Sequence, residues 1–208
     1  FQQETSAGGN RYPEVNDALK NDIEVGALII NYFGHGGEDG LAKEFIYTKE
    51  TATSLRNPNR LPMIVTVTCE FTKFDLPTRI TAGELTYWNK EGGAISLITT
   101  TRSIGAQVGS DLNDLLADEI FGFGQDVPDV PAIGLRKSKN QVSNVNRRVV
   151  FYIGDPALPL AFPKKDIRLT TINGVPVSSS SAILQGLSYV QLGGQVLNAD
   201  GSIATTYN

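Results

Sequence analysis

Short apolar runs rich in β-branched residues recur along the first two thirds of the chain, with amphipathic segments between them. This alternation predicts an α/β fold with a mostly parallel sheet flanked by helices. In chain order, the strand candidates are residues 26–33, 63–68, 93–99 and 148–153. The second directly follows Pro62, which suits a strand start.

Three amphipathic segments predict helices. Residues 82–90 carry one apolar stripe, made of Ala82, Leu85 and Trp88, which predicts Trp88 in the core. A second helix is predicted from Ser110 as its N-cap to Gly122 as its stop. Its inward residues are Leu112, Leu115, Leu116 and Ile120. The third candidate, residues 132–144, is polar, and its cations are interpreted as a solvated face. They are Arg136, Lys137 and Lys139.

The sequence pattern of residues 164–208, short strands separated by turn dipeptides, predicts an all-β module. It follows a first domain at residues 1–163. Strands are predicted over residues 167–172, 189–192 and 196–197, and Asn173-Gly174 and Asp200-Gly201 are hairpin signals. The strand that pairs with residues 195–197 is expected beyond the last residue. We therefore expect the chain to be a piece of a longer protein, with the front of its first domain missing and its β module incomplete.

Composition excludes several classes of function. A formal charge of −4 provides no general attraction to nucleic acid or to an anionic membrane. No apolar run approaches the roughly 20 residues that span a bilayer. One Cys and one His make neither an internal disulfide nor, by themselves, a zinc site. We predict no metal and no cofactor.

The single histidine and the single cysteine each follow a predicted strand. His35 comes after the first strand candidate and Cys69 after the second. A right-handed crossover through residues 48–57 would place the two strands side by side. Because open α/β sheets build their sites at the carboxyl edge, we expect the two side chains to meet there.

A cysteine thiol becomes a nucleophile when a base removes its proton, and histidine is the usual base. The glycines around His35 let backbone N–H groups point into a site, where they can form an oxyanion hole. These are Gly34, Gly36 and Gly37. From position alone, an alternative stays open: Cys69 is a small buried residue and His35 a structural hydrogen-bond donor.

Other polar residues near the two strand ends allow weaker interpretations. The pair Gly34 and Gly36 resembles the start of a dinucleotide loop, but Asp39 stands where the third glycine belongs. Glu38 and Asp39 either bind a cation or are solvated, and solvation is the simpler interpretation. Glu70 either orients a partner or marks a polar loop, as does Asp75. Arg102 either contacts substrate or forms a surface ion pair.

Six motifs in order resemble those of the gingipain-type cysteine peptidases, peptidase family C25. They are residues 31–37 (NYFGHGG), 68–75 (TCEFTKFD), 82–85 (AGEL), 92–95 (GGAI), 99–102 (TTTR) and 152–158 (YIGDPAL). The resemblance covers about residues 15–165. It implies a caspase-like α/β fold followed by an immunoglobulin-like β module. It also implies a catalytic dyad of Cys69 and His35, with backbone N–H groups near Gly36 and Cys69 as oxyanion donors.

Within the family, residues 69–75 and 99–102 are most similar to the sortases of the type IX secretion system. This implies a peptidase at the outer membrane surface that cuts a C-terminal signal from secreted cargo. It would join the new end to anionic lipopolysaccharide and work with other type IX components. Glu70 and Arg102 are candidate substrate contacts. Nucleic acid is not an expected partner.

Two alternatives remain: an ordinary secreted endopeptidase of the same family that hydrolyses, and a non-catalytic scaffold that binds cargo. The family's acidic residue that supports the histidine lies well upstream of the His-Gly motif. The acidic residues available there match it insecurely; they are Glu4, Glu14, Asp17, Asp22 and Glu24. We therefore expect a dyad without a complete active site, and we assign no Arg or Lys specificity.

Overall fold

The computed structural model describes residues 1–6, 9–122, 128–179 and 184–205. Internal contacts divide the chain into two units, Phe1–Leu160 and Ala161–Asn208. The described α-helices are α1 Pro13–Val25, α2 Lys49–Ser54, α3 Ala82–Trp88, α4 Ala106–Phe121 and α5 Pro131–Gln141. The strands of the first unit are β1 Glu4–Ser6, β2 Gly9–Arg11, β3 Ile29–Tyr32, β4 Gly36–Gly37, β5 Gly40–Leu41, β6 Tyr47–Thr48, β7 Met63–Thr66, β8 Ser96–Thr100 and β9 Val150–Ile153. Those of the second unit are β10 Asp166–Ile172, β11 Val175–Pro176 and β12 Leu192–Leu197. Short 3-10 helices cover Val145–Val149 and Val177–Ser179.

The main sheet of the first unit has the strand order β3-β7-β8-β9. Strands β3, β7 and β8 run parallel, and β9 is antiparallel to β8. Every residue of β7 and β8 is buried, which explains their continuous apolar and β-branched sequence. The predicted mostly parallel sheet is confirmed, and helix α2 lies in the predicted crossover between β3 and β7, with Thr48 as its N-cap.

Two of the predicted strands begin later than expected because a glycine at their start serves another element. Gly26 closes helix α1 with φ 120°, and its N–H donates to the Asp22 carbonyl at 3.1 Å. Gly93 has φ 93°, and a Cβ there would lie 2.0 Å from the Thr86 carbonyl oxygen. Both backbone conformations favour glycine. The prediction of strand at residues 26–28 and 93–95 was therefore wrong.

Helix α4 begins at Ala106, so the prediction that Ser110 caps it was wrong. The first turn contains Gly109, where a Cβ would lie 3.1 Å from the ring of Phe33. This glycine allows close packing and does not interrupt the helix. Gly122 ends the helix in the left-handed conformation with φ 58°, as predicted. Three of the four predicted inward residues are buried, namely Leu112, Leu116 and Ile120, while Leu115 is half-buried.

Helix α3 buries its small and polar residues, and the prediction of Trp88 in the core was wrong. The buried residues are Ala82, Gly83, Glu84 and Thr86. Glu84 closes a capping box by accepting from the Thr81 N–H at 2.9 Å. Trp88 is 58% exposed and lines a mostly apolar hollow with Phe74 and Phe151.

Helix α5 ends at Gln141, three residues before the predicted end. Of the three cations predicted to be solvated, two have protein partners. Lys137 forms ion pairs with Glu119 at 3.3 Å and with Asp129. Lys139 donates to the Val150 carbonyl at 2.6 Å. No helix within the described residues is long and apolar enough to cross a membrane.

The second unit contains a three-stranded antiparallel sheet with the order β11-β10-β12. The predicted hairpin at Asn173-Gly174 is confirmed, with φ 50° and 79°, as a tight β-hairpin turn requires. The strand predicted over residues 189–192 was wrong, since β12 starts at Leu192. Strand β12 pairs with β10, so a partner for residues 195–197 lies within the chain.

Candidate active site

His35 and Cys69 line one cleft of about 340 Å³ at the carboxyl edge of the parallel strands. Each residue lies three positions after the end of its strand, β3 for His35 and β7 for Cys69. These strands are direct neighbours in register, with Tyr32 opposite Thr66. The cleft's far wall is Ile104 and the first turn of α4. The structure thus brings the two residues to the same cleft, with His35 exposed and Cys69 half-buried.

The chain turns sharply after Cys69. Glu70 has φ 53°, a left-handed conformation that costs a non-glycine residue about 1–3 kcal/mol and is often found at functional sites. The Cys69 sulfur lies 3.9 Å from the Ile104 carbonyl oxygen. The Cys69 N–H has no acceptor within the described part of the chain.

The loop that carries His35 contacts the loop that carries Cys69 through Thr68. The Thr68 hydroxyl donates to the Gly34 carbonyl at 2.7 Å. A Cβ at Gly36 would lie 2.6 Å from the Thr68 oxygen, so a side chain at position 36 does not fit. The His35 carbonyl accepts from the Tyr32 hydroxyl at 2.7 Å and from the Ala42 N–H at 2.8 Å. These contacts fix the backbone at both strand ends.

Buried threonines form a hydroxyl network beneath the cleft that sequence reasoning missed. The Thr99 hydroxyl lies 3.2 Å from that of Thr66 and 2.9 Å from that of Thr72. The Thr72 N–H donates to the Thr100 carbonyl at 3.1 Å, and the Thr100 hydroxyl donates to the Thr68 carbonyl. All these threonines are at most 1% exposed. The available signal was the cluster of threonines at the ends of two strands.

An ion-pair network joins the same two loops on their outer side. Lys73 contacts Glu38 at 3.0 Å and Glu70 at 3.1 Å. Arg79 contacts Glu38 at 3.0 Å and also pairs with Asp39. Hydrogen bonds from Arg79 and then Lys49 hold the pKa of Asp39 below its ordinary value. Glu38 and Asp39 are thus ion-paired, Glu38 mostly shielded from solvent and Asp39 about half exposed.

The two candidate substrate contacts lie outside the 340 Å³ cleft. Glu70 pairs with Lys73. Arg102 makes a two-pronged pair with Asp75, with N–O distances of 2.9 and 2.6 Å, and its hydrogen bonds lower the pKa of Asp75. The structure therefore brings together His35, Gly34 and Cys69, and gives Glu70 and Arg102 ion-pair partners.

This mixed α/β fold is gingipain-like, as comparison with solved structures shows. The chain is similar to the crystal structure of the Arg-specific cysteine proteinase gingipain R (RgpB), with a TM-score of 0.61 and 16% identity. The match covers 74% of this chain and 39% of that one. A family model of peptidase family C25 matches residues 1–161. The chain belongs to peptidase family C25.

Two further solved structures share the fold. The complex of Porphyromonas gingivalis RgpB pro- and mature domains matches with a TM-score of 0.59 and 17% identity, covering 74% of this chain and 40% of that one. A structure described only as a protease matches with a TM-score of 0.53 and 16% identity, covering 88% and 49%. The chain thus spans about two fifths of the gingipain R chains. No curated protein sequence matches it.

Proposed function

We propose that this chain carries the catalytic dyad of a cysteine peptidase, with Cys69 as nucleophile and His35 as general base and acid. The observation that carries the proposal is that both residues line the same cleft. Membership of peptidase family C25 supports it. Two further features support it: the Cys69 N–H has no acceptor within the described residues, and Gly36 lies tightly against Thr68. An oxyanion hole needs such fixed backbone donors.

In the proposed reaction, His35 takes the thiol proton and the Cys69 thiolate attacks the scissile carbonyl carbon. A carbon–sulfur bond forms, and the oxyanion is bound by backbone N–H groups near Gly36 and Cys69. The carbon–nitrogen bond then breaks, and His35 returns the proton to the leaving amine. The thioester is released by water or by an amine acceptor, which determines whether the outcome is hydrolysis or transfer.

For the physiological reaction we propose a sortase that resembles PorU, the surface peptidase of the type IX secretion system. Residues 69–75 and 99–102 carry that resemblance. Its substrates are secreted cargo proteins with a C-terminal signal, and its acceptor is anionic lipopolysaccharide at the outer membrane surface, where other type IX components are its partners. The same proposal includes a caspase-like first domain and an immunoglobulin-like module over the second unit.

A non-catalytic scaffold is the second candidate. The Cys69 thiol donates to the Ile104 carbonyl, with a sulfur–oxygen distance of 3.9 Å, as a purely structural cysteine can. Alkylation of Cys69 by iodoacetamide in the full-length protein separates the two. We expect Cys69 to react faster than glutathione, because in the proposed dyad His35 accepts the thiol proton as the sulfur attacks. The variant His35→Gln should lose this advantage, and Arg102→Gln, which lies outside the cleft, should keep it. Reaction at the rate of glutathione would favour the scaffold.

Processing of cargo tests the peptidase directly. A strain whose full-length enzyme carries Cys69→Ala should accumulate cargo with its C-terminal signal attached. Normal processing by this variant would overturn the proposal. Mass spectrometry of the new cargo end then separates the two enzymatic outcomes: an amide-linked acceptor indicates transfer, and a free carboxylate alone indicates an ordinary endopeptidase.

A further inference from the structure

A second cleft, of about 340 Å³, lies between helix α5, the 3-10 helix Val145–Val149 and strand β9. Three cationic side chains line it: Arg136, Lys139 and Arg147. Asn140 and the aromatic residues Phe151 and Tyr152 complete its polar and flat walls. As far as the structure describes the chain, no aspartate or glutamate lines this cleft. In a chain of net charge −4, such a local excess of positive charge is notable.

The nearby acidic residues are engaged elsewhere. Glu119 and Asp129 both pair with Lys137, which does not line the cleft. The hydrogen bonds of Lys139 and Arg147 go to backbone carbonyls: Lys139 donates to the Val150 carbonyl at 2.6 Å, and Arg147 donates to the Val142 carbonyl. Arg136 makes no hydrogen bond or ion pair with any residue in the described ranges. Of the three, Lys139 and Arg147 repel each other, and no carboxylate within the described residues lines the cleft to offset their charge.

The position of Lys139 argues against a merely solvated helix face. A lysine that serves only solubility extends its ammonium group into water. The Lys139 ammonium is instead partly buried, 5.5 Å from the centre of the Phe151 ring. Burial and, to a smaller extent, the Arg147 guanidinium lower the pKa of Lys139. An anion in the cleft would relieve both the burial cost and the repulsion.

We propose that this cleft binds a phosphate-type oxyanion. Two guanidinium groups and an ammonium group reach it from separate turns and elements, which suits the several oxygens of a tetrahedral phosphate. The cleft volume of about 340 Å³ is roughly ten times the volume of about 30 Å³ that one water molecule occupies. A phosphate has only five heavy atoms, so the cleft has room for a phosphate and for a group attached to it. The walls of Phe151 and Asn140 leave room for a polar body attached to the phosphate, such as a sugar ring.

Titration of the full chain with inorganic phosphate tests the proposal, with chloride at matched ionic strength as the reference. We expect saturable heat in calorimetry and a rise in melting temperature that chloride does not produce. Arg136→Gln should weaken binding by about tenfold or more, because it removes a charge-assisted hydrogen bond. The control Arg148→Gln makes the same change at an exposed arginine of the 3-10 helix Val145–Val149 that does not line the cleft, and it should change affinity less than about twofold.

Absence of saturable binding, or equal weakening in the two variants, would overturn the proposal. Glucose 6-phosphate distinguishes the source of the anion. Tighter binding than inorganic phosphate supports a phosphorylated sugar, and equal binding supports free phosphate; either outcome supports the site. Cys69→Ala should bind phosphate as the unchanged chain does, so failure of the peptidase proposal leaves this result unaffected.

Discussion

Replacing Gly36 by alanine tests whether the two loops at the candidate active site are held by direct contact. The new Cβ would lie 2.6 Å from the Thr68 hydroxyl oxygen and 2.8 Å from its methyl carbon. Contacts this short force Thr68 to move. Its hydroxyl then loses the 2.7 Å hydrogen bond to the Gly34 carbonyl, next to His35. The neighbouring Gly37 is a matched control, because a Cβ there meets nothing within 4 Å.

The expected cost has two parts. Overpacking of a tight contact costs about 1–3 kcal/mol, and the lost hydrogen bond costs about 1 kcal/mol. A total of about 2–4 kcal/mol corresponds to a fall in melting temperature of roughly 4–15 °C in a domain of this size. Gly37→Ala should change stability by less than about 0.5 kcal/mol. Both variants have one extra methyl group in the same motif, so the difference isolates the contact with Thr68.

Thermal unfolding of five chains measures this: the unchanged chain, Gly36→Ala, the control Gly37→Ala, Thr68→Ala and the double variant of Gly36→Ala with Thr68→Ala. Because Thr68→Ala removes both clashing atoms, the double variant should be less destabilised than the sum of the two single changes, by about 1–2 kcal/mol. The rate of Cys69 alkylation gives an independent readout of site geometry; it should fall in Gly36→Ala and stay unchanged in Gly37→Ala. Additive effects, or equal effects of Gly36→Ala and Gly37→Ala, would refute the reasoning.

Two further predictions concern packing and pH. Phe71 is 1% exposed and Trp88 is 58% exposed. In urea unfolding, Phe71→Ala should therefore lower the free energy of unfolding by about 3–5 kcal/mol, and Trp88→Ala by about 1 kcal/mol. Equal costs would contradict the surface position of Trp88. Because Arg79 and Lys49 depress the pKa of Asp39, its charge adds stability above about pH 4, and this contribution is lost as the pH falls through the folded-state pKa. Asp39→Asn should therefore lower the melting temperature at pH 6 and have a shrinking effect towards pH 3. A difference that stays constant over this range would exclude the carboxylate as its cause.

The parallel strands and the placement of His35 and Cys69 on one cleft were predictable because they follow from local patterns. β-branched runs identify buried strands, and a single crossover fixes which strands are neighbours. Two residues that each follow one of these strands must then reach the same edge. The family resemblance predicted from six short motifs is likewise confirmed by the match over residues 1–161.

The errors arose where one residue serves a tertiary role that its local sequence hides. Ser110 has the features of an N-cap, but Gly109 before it permits the approach of Phe33, so the helix continues through both. Trp88 continues an apolar stripe, yet helix α3 packs through its small face because Gly83 lies against Thr72 and Phe71. Helical periodicity alone does not reveal which face a neighbouring loop covers.

The threonine network could not be predicted for a related reason. Threonine is favoured in strands for its branched Cβ, so Thr66 and Thr99 look like ordinary strand residues. Their hydroxyl contact, at 3.2 Å, depends on the register of two strands distant in sequence. The Thr72 hydroxyl, which contacts that of Thr99, comes from a loop, and no sequence periodicity predicts the path of a loop.

The ion pairs of Lys73 should make the candidate site more sensitive to salt than the sheet that carries it. It joins Glu38, in the loop after His35, to Glu70, the residue after Cys69, through two partly exposed ion pairs. These two ion pairs limit how far the loop after His35 and the loop after Cys69 can move apart, which the proposed dyad requires. Salt screens exposed pairs and leaves buried apolar contacts intact. Rising ionic strength should therefore weaken the link between the loops of His35 and Cys69 well before it unfolds the sheet that carries them.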